Sequence, residues 1–521
     1  MMRKGAKELL LKPFGENLGI FAAQYLCIAL VDLIGHIFFQ SSVFTGISRV
    51  FLAVSPAYAV TFVYGLFRPG KAKKAVGAAI CLLGAANVIF DIFCLKILGG
   101  IFSYDCVQSM VCSTVTETTG FLGMYVDIRA ISVTALALLV IWSCFRAVSK
   151  VDTSRMRPGL KLILTILTVT STALWALLPE KNHEGIYADK LLMVLSYEPV
   201  DLGTEDGRTY DVTIEGELPE CVVLIIGESH AKSHVSTYGY RRDTAPRLDS
   251  MARKGDVIPF FYASTVWPRT IESLLCMMTN SSFDPLNGFQ FRDTFLTDVM
   301  KSAGYKTFWL SNHNSFGFQD NPVTKIAEKS DSTYWVPPAS PFRMSYDERL
   351  LPPVKSLADS QPGNMFLVIH PLGQHEAFKD RYPEAFGRFK PDRPSEKSSA
   401  VTAEYDNSIL YNDFIVSEMM KTFADREAVV VYVPDHGMDI YASHPHYAGH
   451  ARPHDPVSLE EGLQIPMYVF VSDKFRKRFP LKCEMMESMA SEEFVTDRIM
   501  EFILEISGIT YRVGDFKSSG L

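Results

Sequence analysis

Five long apolar runs in the first third of the chain constrain its fold more than any other feature. They lie at residues 17–39, 46–67, 75–98, 129–147 and 160–178. Each approaches or exceeds the roughly 20 helical residues that a bilayer span requires. The first run is longer than the apolar core of a cleavable signal and has no clear small-residue cleavage site. It therefore reads as a retained anchor.

Flanking charge sets the orientation. Arg3, Lys4, Lys7 and Lys12 precede the first run, and Arg68, Lys71, Lys73 and Lys74 join the second to the third. Arg146, Lys150, Arg155, Arg157 and Lys161 join the fourth to the fifth, whereas 40–45 and 99–128 are poor in Lys and Arg. The positive-inside rule then predicts a cytoplasmic N-terminus. Five crossings carry everything after residue 178 to the other side. The 99–128 connection reads as a loop, and its Cys106 and Cys112 are spaced to form a disulfide if that side is oxidising.

The remaining chain has a different character. Residues 179–220 read as a polar linker and 221–521 as a soluble domain. The formal net charge of −7 gives no support for nucleic-acid binding, and none of the nine cysteines forms a CxxC pair. Short β-branched runs predict strands at 221–226, 306–310, 365–370, 428–433 and 465–471. Helical patterns lie between them, at 292–303, 402–423 and 491–506 among others. Such alternation predicts a doubly wound α/β domain following the α-helical membrane domain.

Polar clusters sit where strands end, the edge at which open α/β sheets bind ligands. Glu228 follows the first strand. Asn312, His313 and Asn314 follow the second. His370 closes the third, with His375 nearby, and Asp435-His436-Gly437 follows the fourth. Two carboxylates and an imidazole, Glu228, Asp435 and His436, make a donor set suited to Zn2+ or Mn2+ with room for a further ligand. The segment STVWPRTIESLLCMMT supplies candidate nucleophiles, Thr270 first, with Ser264, Thr265 and Ser273 as rivals. Pro268 suits a helix start, which places Thr270 near free N–H groups that favour phosphate.

GES followed by STYGYRRDTAPRLD, then WPRTIESLLCMMT, LGQHEAFKDRYP, EYDNSILYNDF, VPDHG and IPMYVF, resembles the phosphoethanolamine transferases of the sulfatase/alkaline-phosphatase superfamily. Five spans before the domain fit the same resemblance. It implies that Thr270 is the nucleophile and that Glu228, Thr270, Asp435 and His436 hold Zn2+. It further implies that His375 contacts substrate phosphate. A further family histidine falls among His444, His446, His450 and His454; counting forward from DHG favours His446, and counting back from Ile465-Pro466 favours His450. Asn312 is a further candidate for substrate binding. Met438 and Asp439 stand where many relatives carry Glu, and the sparse cysteines cannot reproduce disulfides found in some of them.

The resemblance also implies a reaction and a place. Zinc-activated Thr270 attacks phosphatidylethanolamine, expels diacylglycerol and carries the phosphoethanolamine group. A lipid A phosphate or lipopolysaccharide core sugar then accepts it. The setting is the bacterial inner membrane, multi-pass, with the catalytic domain in the periplasm. The C/S-x-P-x-R setting of sulfatase nucleophiles is absent from this segment. A glycerol-phosphate polymerase of the same superfamily and a non-catalytic membrane scaffold are the alternative readings.

Overall fold

The computed structural model describes residues 14, 17–39, 50–98, 107, 126, 128–151, 158–177, 190, 195, 202, 210–284, 288–313, 322–336, 346–452 and 455–513. Cys106, Cys112, Asn314 and His454 lie outside the described residues, as does most of the 99–128 connection. The chain divides into two compact units, one helical and one built on a sheet.

The helical unit contains α1 (Leu18–Phe39), α2 (Val54–Leu66), α3 (Lys71–Leu98), α4 (Ile128–Val148) and α5 (Pro158–Leu177). Each covers most of one apolar run. Within them, Lys71–Lys96 and Ile128–Val148 are long and apolar enough to cross a membrane, while the others contain shorter apolar stretches. Ala23, Cys27, Val31, Val88, Ile92, Val133 and Ala137 pack α1, α3 and α4 together. A polar knot reinforces this contact. The Asn87 amide donates to Cys27 O (3.3 Å) and to Asp91 Oδ2 (3.1 Å), and Lys190 pairs with the fully buried Asp91. Polar side chains joining apolar helices in this way act as interhelical glue.

Among the described residues of the second unit, the strands of four or more residues are β1 (Tyr210–Ile214), β2 (Cys221–Gly227), β3 (Val257–Phe260), β4 (Lys306–Ser311), β5 (Ser332–Trp335), β6 (Met365–His370), β7 (Ala428–Pro434), β8 (Met467–Val471) and β9 (Ile509–Val513). Seven form one sheet in the order β3-β8-β7-β2-β6-β4-β5. The pairs β7/β2, β2/β6, β6/β4 and β4/β5 are parallel, and β8 runs against both neighbours. β2 lies at the centre and is buried throughout. Its Val222, Leu224 and Ile226 enter one core and Cys221, Val223 and Ile225 the other. A strand buried on both faces needs apolar residues at every position, which explains the unbroken run.

Helices α6 (Thr270–Met278) and α8 (Ile499–Ser507) cover the first face, and α7 (Lys397–Thr422) covers the second. The doubly wound expectation therefore describes the layers, with a reversed strand near one edge. The expected linker is shorter than 179–220. Tyr210–Ile214 pairs antiparallel with Ile509–Val513, and Tyr210 and Val212 pack on the core. The domain thus closes its start against its end.

Candidate active site

Gly227 ends β2 at a position where a side chain does not fit: a Cβ there would lie 2.3 Å from Tyr432 Oη. Glu228 and Ser229 follow, both buried, with Ser229 at φ 54. This is a left-handed conformation that costs energy for a non-glycine residue. The turn is held from several sides. Asp435 N donates to Gly227 O (2.9 Å), Ser229 N donates to Asp435 Oδ1 (3.0 Å), and Tyr405 Oη donates to Ser229 O (2.7 Å).

These bonds bring Glu228 against Asp435 and His436 at the end of β7. His436 Nε2 stands 3.6 Å from Glu228 Oε1 and 3.5 Å from Asp435 Oδ2. His436 Nδ1 lies 2.7 Å from Gly437 O. A carbonyl only accepts, so Nδ1 carries the proton and Nε2 presents its lone pair to the carboxylates. Asp435 Oδ2 and His436 Nε2 are buried without a hydrogen-bond partner among the described residues. Potential ligand atoms of Glu228, Asp435 and His436 lie within 4.8 Å of one another. Two orphaned atoms converging on a buried carboxylate fit a divalent cation, and the His N–H on a carbonyl is the support such ligands usually have.

Thr270 completes the group. It opens α6, two residues beyond Pro268, and its Oγ1 is 3.4 Å from Glu228 Oε2. Its rivals are engaged elsewhere. Thr265 and Ser273 bond each other (2.8 Å), Ser273 Oγ donates to Trp267 O (2.7 Å), and Ser264 lies in β-pairing with Val495. The network of Thr265 and Ser273 braces the turn that presents Thr270.

The histidines separate clearly. The His450 ring lies 4.9 Å from that of His436, with Nδ1 3.7 Å from Glu376 Oε1. Desolvation, then His436, pushes its pKa well below the usual histidine range. His446 is exposed beside His444, with ring centroids 5.6 Å apart, away from these groups. His375 follows the turn after β6, half-buried, its Nδ1 on Glu376 O (2.9 Å). Asp439 accepts from Ala442 N and from the Ser443 hydroxyl, so it shapes its own turn. Asn312 donates its amide to buried Asp347 Oδ1 (2.8 Å). Asp347 also accepts from Leu372 N and Gly373 N, which ties the ends of β4 and β6 together.

Tertiary structure adds a pairing that was not read from the sequence. His313 stacks on His370, with centroids 4.0 Å apart and planes at 11°. Burial pushes His370 down to about 3, so the ring is neutral. Both residues were visible as strand-end histidines; their approach to Glu228 required the β2-β6-β4 order.

The sulfatase family profile matches residues 220–509, more than half of the chain. Phosphoethanolamine transferase EptC of Escherichia coli (strain K12) is 29% identical over 276 residues, covering 51% of this chain and 47% of that protein. The chain thus spans about half the length of this relative. Phosphoethanolamine transferase EptA of Salmonella typhimurium is 22% identical, covering 84% of this chain and 83% of that protein. The C-terminal periplasmic domain of EptC from Escherichia coli, solved in complex with zinc, is 26% identical with a TM-score of 0.52, covering 58% of this chain and 86% of that one. The integral membrane EptA of Neisseria meningitidis shares the fold, with a TM-score of 0.65 at 18% identity over 96% of both chains. Its likeness extends through the N-terminal membrane region. With strand order, site and family profile in agreement, the chain belongs to the sulfatase family.

Proposed function

We propose that this protein is a zinc-dependent phosphoethanolamine transferase acting on lipopolysaccharide or lipid A. The observation that carries the reading is the convergence of Thr270 Oγ1, Glu228, Asp435 Oδ2 and His436 Nε2 at the edge of the sheet. The names of the similar proteins supply the transferred group, and the zinc complex of the similar EptC domain supports the metal. Glu228, Asp435, His436 and Thr270 would hold the ion. When bound, zinc lowers the pKa of a hydroxyl beside it and stabilises charge on phosphoryl oxygens.

The protein's own residues then divide the work. Thr270 Oγ forms the bond to phosphorus as the phosphorus–glycerol oxygen bond of phosphatidylethanolamine breaks. Diacylglycerol leaves with a proton, and phosphoethanolamine stays on Thr270. An oxygen of a lipid A phosphate or core sugar attacks next and restores the free hydroxyl. The N-terminus of α6 offers N–H groups to the phosphate. In this reading His450, whose ring lies 4.9 Å from that of His436, and His375, 6.3 Å from the His313 ring, hand protons to and from the departing and entering oxygens.

The membrane domain expected over residues 1–178 is the lipid-facing anchor in this reading. Its five helices cross the bacterial inner membrane with the N-terminus cytoplasmic, and the catalytic domain stands in the periplasm. Lys and Arg in alternate connections support that topology.

The test is diacylglycerol release from defined lipids by the full chain in detergent. Release from phosphatidylethanolamine should stop with a zinc chelator and fall at least ~1000-fold in Thr270→Ala, the loss typical of a missing covalent nucleophile. Release from phosphatidylglycerol alone would move the protein to glycerol-phosphate transfer.

A further inference from the structure

His370 is the least explained polar side chain of the site. It is 1% exposed, and neither ring nitrogen has a hydrogen-bond partner among the described residues. A buried imidazole with both nitrogens idle is costly unless something binds it. Its ring is held firmly, with His313 stacked on one face and the Trp309 ring edge-on at 6.0 Å. His313 is oriented as well. Its Nε2 lies 2.9 Å from Pro371 O, and the carbonyl can only accept. The proton therefore sits on Nε2 and the lone pair on Nδ1, the arrangement common in metal-binding imidazoles. Potential ligand atoms of Glu228, His313 and His370 lie within 4.8 Å of one another.

We propose that Glu228, His313 and His370 form a second divalent-cation site, which takes Zn2+ and shares the Glu228 carboxylate with the Asp435–His436 set. The proposal goes beyond the assigned function and rests on it in one respect, the use of Glu228 by both sets. The chemistry favours zinc: two neutral imidazoles and one carboxylate are a borderline donor set with a position left open. A carboxylate has two oxygens and can bridge. Oε1 already faces His436 and Oε2 faces Thr270. The two buried carboxylates, Glu228 and Asp435, balance the charge of one ion. A second ion leaves surplus positive charge, which a phosphate group would offset. The second site therefore fills more weakly than the first and more tightly when phosphate is present. Two-metal phosphoryl-transfer centres place their ions about 3.5–4 Å apart, within the reach of one bridging carboxylate.

The full chain in detergent, stripped of metal, is titrated with Zn2+ in the presence and absence of inorganic phosphate, and bound metal is counted after dialysis. Co2+ absorption provides a second readout. The wild type should bind two equivalents, the second more tightly with phosphate. His313→Ala and His370→Gln should each retain the first equivalent and bind the second at least ~30-fold more weakly, with loss of its cobalt bands. His450→Ala should keep both. Saturation of the wild type at one equivalent overturns the proposal, and so does a second equivalent that survives in both histidine variants or disappears in His450→Ala. Should His370→Gln fail to fold, as judged by its thermal transition, the half-buried His313→Ala decides alone. Asp435→Asn tests the first site separately: unchanged metal content there removes the metal from the proposed function without touching His313 and His370.

Discussion

At the scale of residues, the site depends on close approaches that only glycine permits. A Cβ on Gly437 would stand 2.1 Å from Glu461 O and 2.9 Å from Gln464 O, both backbone atoms. Gly437→Ala should therefore destabilise the domain by about 1–3 kcal/mol and shift the adjoining His436. Thermal melting together with zinc content checks both effects. Charge at a second residue gives a pH signature. Asp413 accepts from Arg247 N and Leu248 N (2.9 Å each), yet burial raises its carboxyl from 3.8 to about 7. A proton on Asp413 thus favours the folded chain. That contribution is whole below pH 3.8 and disappears as the pH rises through 7, a span worth at most about 4 kcal/mol. Asp413→Asn has no such titration. Measured against the wild type, its stability should improve steadily from pH 4 to 7. A difference that stays constant over that range would contradict the assignment.

At the scale of elements, two contacts carry clear consequences. The β1–β9 pair closes the domain, and Tyr511 on β9 packs on the core with Tyr210. A domain begun at Cys221 lacks β1 and should melt several degrees below one begun at residue 209, since each 1 kcal/mol lost moves the midpoint by roughly 2–4 °C in domains of this size. Helix α8 is the other case. Its Phe502 is buried against Phe260 and Phe494 (5.7 and 5.4 Å between centroids). Phe502→Ala should cost about 3–5 kcal/mol in denaturant unfolding. In the helical unit, Lys190→Met removes the ammonium that pairs with the buried Asp91 carboxylate, whereas adding Asp91→Asn removes the charge as well. The double variant should be the more heat-resistant of the two in detergent. Equal melting would show the pair to be energetically idle.

At the scale of the whole molecule, each unit has its own core. Residues 209–521 alone should fold without detergent, melt in one transition and retain the metal ligands. Turnover of phosphatidylethanolamine in vesicles should fall on the order of 100-fold or more relative to the full chain, because the anchor confines the site to the lipid surface. Hydrolysis of a water-soluble phosphodiester should change little. Unimpaired turnover of vesicle lipid by the free domain would remove the reason for the anchor.

Much of this organisation is local and therefore legible along the chain. The apolar runs become helices α1 to α5, and the five β-branched runs become β2, β4, β6, β7 and β8. Polar residues at strand ends mark the functional edge, and period and composition suffice for those features. β1 and β9 escape such a reading because polar residues interrupt them (YDVTI and ITYRV), and β3 and β5 because they have only four residues each. The direction of β8 escapes it too, since a buried strand carries the same apolar pattern whichever way it runs. Site membership lies further still from local pattern. Glu228 meets Asp435 and His436 across more than two hundred residues, and the same distance separates it from His450. Only the packing of α6 brings Thr270, and not Thr265 or Ser273, against Glu228, and only the fold of the 439–452 segment sets His450 beside His436 and leaves His446 in solvent. His313 and His370 become a pair because β4 and β6 are neighbours in the sheet. Hydrophobic period is a property of one segment, whereas a ligand set is a property of several segments whose order in space the chain's linear pattern does not state.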